Sequence, residues 1–297
     1  MNKTFLSFFL LIALIFSACA QRDLSAGAAE NPTEPDTPSA ATEAPTPEEI
    51  PTATPNASPT TEPAPEAALV PRAEVGEVLV LSYHAFTEDA SVIEKWDLYM
   101  SPGAFKSQLQ KLLECGYTPI FASELASDYL PEKPVVITID DGYLDNYEIA
   151  FPILKECDVK ATIFIIASYL EERPEYLTWA HITEMYESGL VDFQSHTYNL
   201  HATGLVYPEA SDISYDAWLA LLDEDAQLME DTFLEKLGYA PTVLCYPLGK
   251  WNMDISDFYS SRYNVFFSGN YGVANLSQDS LLALPRIWSV ESTVIKP

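Results

Sequence analysis

Two adjacent aspartates, Asp140 and Asp141, follow the apolar run Pro134-Val-Val-Ile-Thr-Ile139 and precede Gly142. Ionised carboxylates this close repel each other, so the pair needs a cation, a shared proton or solvent. The chain holds four histidines: His84, His181, His196 and His201. His196 directly follows a predicted strand, Val191–Ser195, and His201 comes five residues later in Ser195-His-Thr-Tyr-Asn-Leu-His201. Five is a poor step for one helical face, which favours three or four. It is also odd, so a continuous strand would send the two rings to opposite faces. The rings converge only if a loop or turn carries them, at the same end of the sheet as the aspartates. Two imidazoles and a carboxylate, with open positions for water, form the ligand set of a catalytic divalent metal site. The plain alternative is a surface Asp-Asp-Gly turn with solvated histidines. The need of the carboxylate pair for a cation weighs against it.

The elements that must position these groups follow from the pattern around them. A Val- and Ile-rich run reads as a buried strand, and Gly142 lets the chain turn sharply after it. The pair then stands at the C-terminal end of an inner strand, where barrels and open α/β sheets keep their active sites. Strands are predicted at residues 78–83, 135–139, 161–166 and 191–195, with shorter candidates at 243–246, 265–267 and 281–284. Helices are predicted at 102–115, 146–157, 182–187 and 215–237. The first has Ser101 as its N-cap and Pro102 at its first position. Gly189 and Gly238 end the last two. Alternating strands and helices imply a parallel sheet, open or closed into a barrel.

The 297 residues carry a formal charge of −29 and a sequence pI near 4.2. No basic stripe exists to neutralise phosphates, which excludes nucleic acid as a partner. The N-terminus reads as a targeting segment. Residues 5–16 are apolar, too short to span a bilayer comfortably, and Ser17 and Ala18 precede Cys19. This resembles a bacterial lipoprotein signal, residues 1–19, in which Cys19 takes the lipid. An ordinary secretory cut near Ala18 or Ala20 is the alternative, and either implies export. Residues 20–74 are rich in Pro, Thr, Ala, Ser and Glu, and half of the 22 prolines lie between Pro32 and Pro71. Such a stretch buries too little surface to offset its chain entropy and reads as a disordered tether. At about 3.1 Å per residue it reaches on the order of 150 Å at most. Residues 75–297 have the composition of one α/β domain. The remaining cysteines, Cys115, Cys157 and Cys245, have no paired spacing and imply no disulfide framework.

Several motifs together resemble the NodB-homology polysaccharide deacetylases of carbohydrate esterase family four. Thr138-Ile-Asp-Asp-Gly142 is similar to the family's first motif. Ser195-His-Thr-Tyr-Asn-Leu-His201 is similar to its second, one residue longer, as in the poly-N-acetylglucosamine deacetylase branch. Leu81-Ser-Tyr-His84, Tyr246-Pro-Leu-Gly249 and Leu284-Pro-Arg-Ile287 resemble further motifs of that branch.

The resemblance implies a distorted (β/α) barrel of about seven units with parallel strands inside. It implies Asp141, His196 and His201 as ligands of one divalent metal ion, zinc first, with cobalt, nickel or manganese as alternatives. It implies Asp140 as general base and the Leu248 amide as oxyanion donor. The family's late Leu-x-His motif is absent, since no histidine follows His201, and His84 is the replacement acid. Cys245 lies near the place of the family's usual arginine, so Arg286 is expected to orient Asp140. The implied reaction is N-deacetylation of an extracellular amino-sugar polymer such as poly-N-acetylglucosamine. A peptidoglycan deacetylase, an acetyl-xylan esterase and an inactive carbohydrate-binding lipoprotein are the alternatives. Trp251, Tyr198, Tyr271 and Trp288 could stack on sugar rings, with Tyr198 the best placed; His181 reads as structural. Nothing in the sequence sets the oligomeric state.

Overall fold

The strand that carries the aspartate pair runs further than its apolar stretch. It spans Pro134–Asp141, is buried along its whole length, and includes both aspartates. A strand covered on both faces tolerates a near-continuous β-branched run. This computed structural model describes residues 67–207, 212–293 and 295. The sequence readings of the signal, of Cys19 and of the tether as far as residue 66 lie outside them. Leu69–Pro71, inside the stretch read as tether, forms a short strand antiparallel to Tyr129–Pro131. Among the described residues no helix is long and apolar enough to cross a membrane.

Seven strands close into a barrel: β1 (Glu77–Tyr83), β2 (Pro134–Asp141), β3 (Ala161–Ile165), β4 (Val191–Ser195), β5 (Val243–Cys245), β6 (Val265–Tyr271) and β7 (Leu284–Trp288). Every neighbouring pair is parallel, and β1 pairs with both β2 and β7 to close the ring. Order around the ring follows order along the chain, as short right-handed crossovers dictate. The barrel is distorted. Thr118–Ile120 wedges in beside the first half of β2, and β4 meets β5 at one rung. Register explains the site. One rung joins Asp141, Ile165, Ser195 and Leu244 across four strands, so the aspartates, His196 and Cys245 emerge at one rim.

The closing strand departs from the sequence reading, which placed it at 281–284. It begins at Leu284 and carries Arg286 and Trp288. Pro285 falls where the β6–β7 register slips, between Leu284 opposite Phe267 and Arg286 opposite Tyr271. A strand tolerates proline at such an irregularity, because no ladder donor is needed there.

Helices α1 (Ala90–Lys95), α2 (Pro102–Glu114), α3 (Phe151–Cys157), α4 (Trp179–Glu187), α5 (Tyr215–Leu237) and α6 (Met253–Tyr259) complete the α/β layers. Ser101 Oγ caps α2 by accepting from the Ala104 amide at 3.1 Å. Thr178 and His181 cap each other at the start of α4, the structural part expected of His181. Residues 146–150, read as α-helix, form a π-helical turn before α3. Such turns often mark functional sites. Helix α5 buries Trp218, Leu222, Asp225, Ala226, Met229 and Phe233 on one face, a stripe at helical spacing with one charged member.

Asp192 in β4 shows how the barrel treats a buried carboxyl away from the rim. Ser123 Oγ and Gln194 Nε2 both donate to its Oδ2 at 3.0 Å. Burial still pushes its pKa up, to about 6. Such a group binds more protons folded than unfolded, so its contribution to stability falls as pH rises from about 4 to about 6. Asp192→Asn keeps an acceptor for both donors and removes the buried charge. The variant is expected to be more stable than wild type by roughly 2–3 kcal/mol at pH 7 and to lose that advantage near pH 4. Urea unfolding of both proteins at the two pH values checks this. Equal stabilities at pH 7 would contradict it.

Candidate metal and catalytic centre

Strained backbone marks the rim. Three of the five non-glycine residues with positive φ among the described residues stand there: Asp141 (75°), Thr197 (78°) and Leu248 (57°). For a β-branched residue such as Thr197 this is a genuine outlier. Strain of this kind persists where surrounding contacts over-determine it, which is common at active sites. The turn after β2 therefore begins at Asp141 itself, one residue before Gly142 (φ 77°).

The two aspartates face different partners. Asp141 Oδ1 lies 3.5 Å from His196 Nε2 and 3.2 Å from His201 Nε2. It is buried and makes no hydrogen bond. His196 Nδ1 sits 2.8 Å from the Cys245 carbonyl. Only a protonated Nδ1 can use that contact, which leaves Nε2 turned toward the carboxylate. A carboxylate oxygen facing two imidazole nitrogens in a buried place needs positive charge between them, a proton or a metal ion. The three ligand atoms lie within 4.8 Å of one another, so this group can hold a metal ion. A second group of Asp140, His196 and Cys245 also meets that distance. It is the poorer site, because an arginine already engages both oxygens of Asp140.

That arginine is Arg286. Its Nη1 and Nη2 donate to Asp140 Oδ1 and Oδ2 at 2.8 and 2.7 Å, and Nη1 also donates to Thr138 Oγ1 at 3.1 Å. Asp140 is 2% exposed. Burial pushes its pKa up most strongly, but the Arg286 fork, together with His84 and His196, holds the carboxyl down at about 2. Asp140 is thus ionised in the resting site. Cys245 Sγ lies 3.6 Å from Asp140 Oδ2, where the thiol can donate.

His84 Nε2 approaches Asp140 Oδ2 at 3.6 Å from the end of β1. Burial lowers the His84 pKa, although Asp140 and Asp141 pull it upward. Two residues that the motifs do not single out as supports hold this histidine. Asn146 Nδ2 donates to the His84 carbonyl at 2.8 Å. The Trp288 indole stacks on the ring at 5.1 Å between centroids, itself anchored by Nε1–H to the Asp97 carbonyl. The two-residue period of β7 explains why Arg286 and Trp288 serve one rim.

β5 ends at Cys245, and the turn Pro247–Gly249 follows. The Gly249 and Lys250 amides close this turn back onto Tyr246 and Pro247. The Leu248 amide takes no part in those closures. A Cβ on Gly249 would stand 2.4 Å from the Gly269 Cα, so the turn presses backbone on backbone against β6. Only glycine permits that approach.

Among the aromatic residues, Trp288 (48% exposed) lies against the site, and Tyr271 (77%) stands free on β6. Tyr198, the best placed by sequence, packs against the main core, and Trp251 packs beside Tyr246. Cys115 and Cys157 are half-buried and Cys245 is buried.

A seven-stranded parallel barrel with an Asp–His–His group beside an arginine-held aspartate defines a class of hydrolase-like sites. Residues 127–262 match the profile of the family described as polysaccharide deacetylase. The matched span includes Asp140, Asp141, His196, His201 and Leu248, and leaves His84 and Arg286 outside. The poly-beta-1,6-N-acetyl-D-glucosamine N-deacetylase of Escherichia coli K12 is 27% identical over 254 residues, 73% of this chain. The chain spans only 37% of that relative's length. A putative polysaccharide deacetylase of Bacillus subtilis, YxkH, is 28% identical over 97% of this chain and 93% of its own. Among solved structures, the Streptococcus pyogenes deacetylase PplD in complex with acetate aligns with a TM-score of 0.62 and 28% identity. That alignment covers 73% of this chain and 93% of PplD.

Proposed function

We propose that this protein is a metal-dependent deacetylase that removes N-acetyl groups from an extracellular amino-sugar polysaccharide of the poly-N-acetylglucosamine kind. The observation that carries this is the division of the adjacent aspartates: Asp141 faces two imidazoles, whereas Asp140 is held off them by Arg286. The name of the E. coli relative, a poly-beta-1,6-N-acetyl-D-glucosamine N-deacetylase, supports the choice of polymer. The lipoprotein-type start and the tether support an exported enzyme, tethered to the outer side of a membrane through a lipid on Cys19.

Asp141, His196 and His201 would hold one divalent ion, zinc before cobalt, nickel or manganese. An ion bound there would lower the pKa of a water and polarise the acetyl carbonyl. Asp140 takes a proton from the attacking water. Its negative charge is fixed in place by the two-pronged Arg286 contact, so no reorganisation is required during the reaction. The Leu248 amide, presented by a strained turn, donates to the oxygen that gains charge on attack. The leaving amine departs poorly unless protonated, and His84 supplies that proton. Burial lowers the His84 pKa and leaves the resting ring neutral, so the proton it delivers is the one Asp140 takes from the water, passed on across 3.6 Å. Trp288 keeps the ring in register and offers its exposed indole edge to the sugar.

Acetate release separates this reading from its rivals. Purified protein is expected to release acetate from acetylated glucosamine oligomers faster than from peptidoglycan or acetyl-xylan. A chelator should abolish release, and added zinc or cobalt should restore it. Release that survives complete metal removal would defeat the metal-dependent mechanism, and preference for acetyl-xylan would defeat the substrate class.

A further inference from the structure

The step from His196 to His201 crosses a loop, and something must hold that loop if both rings are to meet Asp141. We propose that Asp225, on helix α5, is the positioning residue that does so. This rests on the reading of Asp141, His196 and His201 as metal ligands. Asp225 Oδ2 accepts from the Tyr198 amide at 2.9 Å, and Oδ1 accepts from the Asn199 amide at 2.7 Å. Each carboxylate oxygen thus takes one of two consecutive amides midway between the histidines. Bonds to an ionised acceptor are roughly twice as strong as neutral ones.

The other side of the loop is tied to the segment after β3. Ala167 N donates to the Thr197 carbonyl at 3.4 Å and Ser168 N to the Tyr198 carbonyl at 2.9 Å. Ser168 Oγ also bonds Asn199 Oδ1 at 2.8 Å. These bonds account for carbonyls and a side chain, and the Tyr198 and Asn199 amides fall to Asp225. With both sides fixed, the chain turns through the strained Thr197 and returns His201 to within 4.7 Å of His196, centroid to centroid.

Asp225 stands where packing alone would favour an apolar side chain. It is 6% exposed and belongs to the same helical face as Leu222, Ala226 and Met229. A buried carboxylate is retained where its acceptors are used. Here they are used on the loop that carries the ligands, so the long helix sets ligand geometry although it supplies no ligand. Supports of this kind typically tune metal affinity by about 10–100-fold.

Full-length protein stripped of metal provides the test, with Asp225→Ala, Asp225→Asn and, as a buried carboxyl away from the rim, Asp192→Asn. The readouts are hydrogen exchange of the segment containing Tyr198 and Asn199, zinc and cobalt affinity by competition with a chromophoric chelator, the cobalt absorption spectrum and the melting temperature. Asp225→Ala is expected to speed exchange in that segment, to weaken zinc roughly 10–100-fold and to alter the cobalt absorption spectrum. Asp225→Asn, which keeps one acceptor, should fall between it and wild type, and Asp192→Asn should leave affinity unchanged. Zinc affinity within about threefold of wild type in Asp225→Ala, with only a lowered melting temperature, would overturn the positioning role. If that variant fails to fold, unchanged affinity in Asp225→Asn overturns it equally. Wild-type protein that binds neither metal would sink the metal reading and the proposal together. Wild-type binding with indifferent variants sinks the proposal alone.

Discussion

Asp140→Asn is expected to keep its metal and lose turnover by roughly 10²–10⁴-fold, the range of a removed general base. The amide is nearly the same size, so packing in this buried place is preserved. It cannot accept a proton from water as a carboxylate does. Asp141, His196 and His201 are untouched by the change, so zinc content should stay near wild type. Metal analysis and acetate release on the same preparation check both halves. Retained turnover would remove Asp140 as the base. Loss of metal together with turnover would instead place Asp140 among the ligands, where the Asp140–His196–Cys245 grouping would become the better description.

Arg286→Met is expected to destabilise the protein by roughly 3–5 kcal/mol and to cut turnover as well. The reason is the charge left behind. Asp140 is buried, and its partner's two donors are what make ionisation tolerable there. Without them burial dominates and the carboxyl moves toward its neutral form. The double variant Arg286→Met, Asp140→Asn tests this directly. With no carboxylate to strand, it should recover most of the lost stability while remaining inactive, a coupling of order 2–3 kcal/mol in a double-mutant cycle. Arg286→Lys should be intermediate at best, since an ammonium cannot reproduce the two-pronged contact. Full turnover in Arg286→Met with reduced stability would mean that Arg286 only props the barrel.

The strand–helix alternation was legible because strand and helix periods differ and because glycine and serine mark helix ends. Ser101 and Gly238 fall where capping chemistry puts them. The convergence of His196 and His201 was legible as a requirement, since a step of five fits no regular element. How the loop meets that requirement was not. Asp225 lies in a helical stripe that reads as core, and the only sequence signal was one carboxylate among apolar positions. The closing strand was misplaced by a few residues because Pro285 looks like a terminator, and only the slipped β6–β7 register makes room for it. That error hid the pairing of Arg286 and Trp288 on one face. Tyr198 looked well placed because it lies between the histidines, yet chain proximity says nothing of the direction of a side chain.

By itself the sequence determined which donors exist, their order along the chain, and that a parallel α/β frame would bring them to strand ends. Those properties follow from residue type, hydrophobic period and turn chemistry, all of them local. The motif resemblance already implied a barrel of about seven units, and the closed seven-stranded ring bears it out; only the tertiary structure shows how two chemically identical neighbours, Asp140 and Asp141, come to live in different surroundings. Nothing within a few residues distinguishes them. The difference is made by Arg286, 146 positions further on, and by imidazoles from another strand end. Electrostatic environment is set by what the fold brings near.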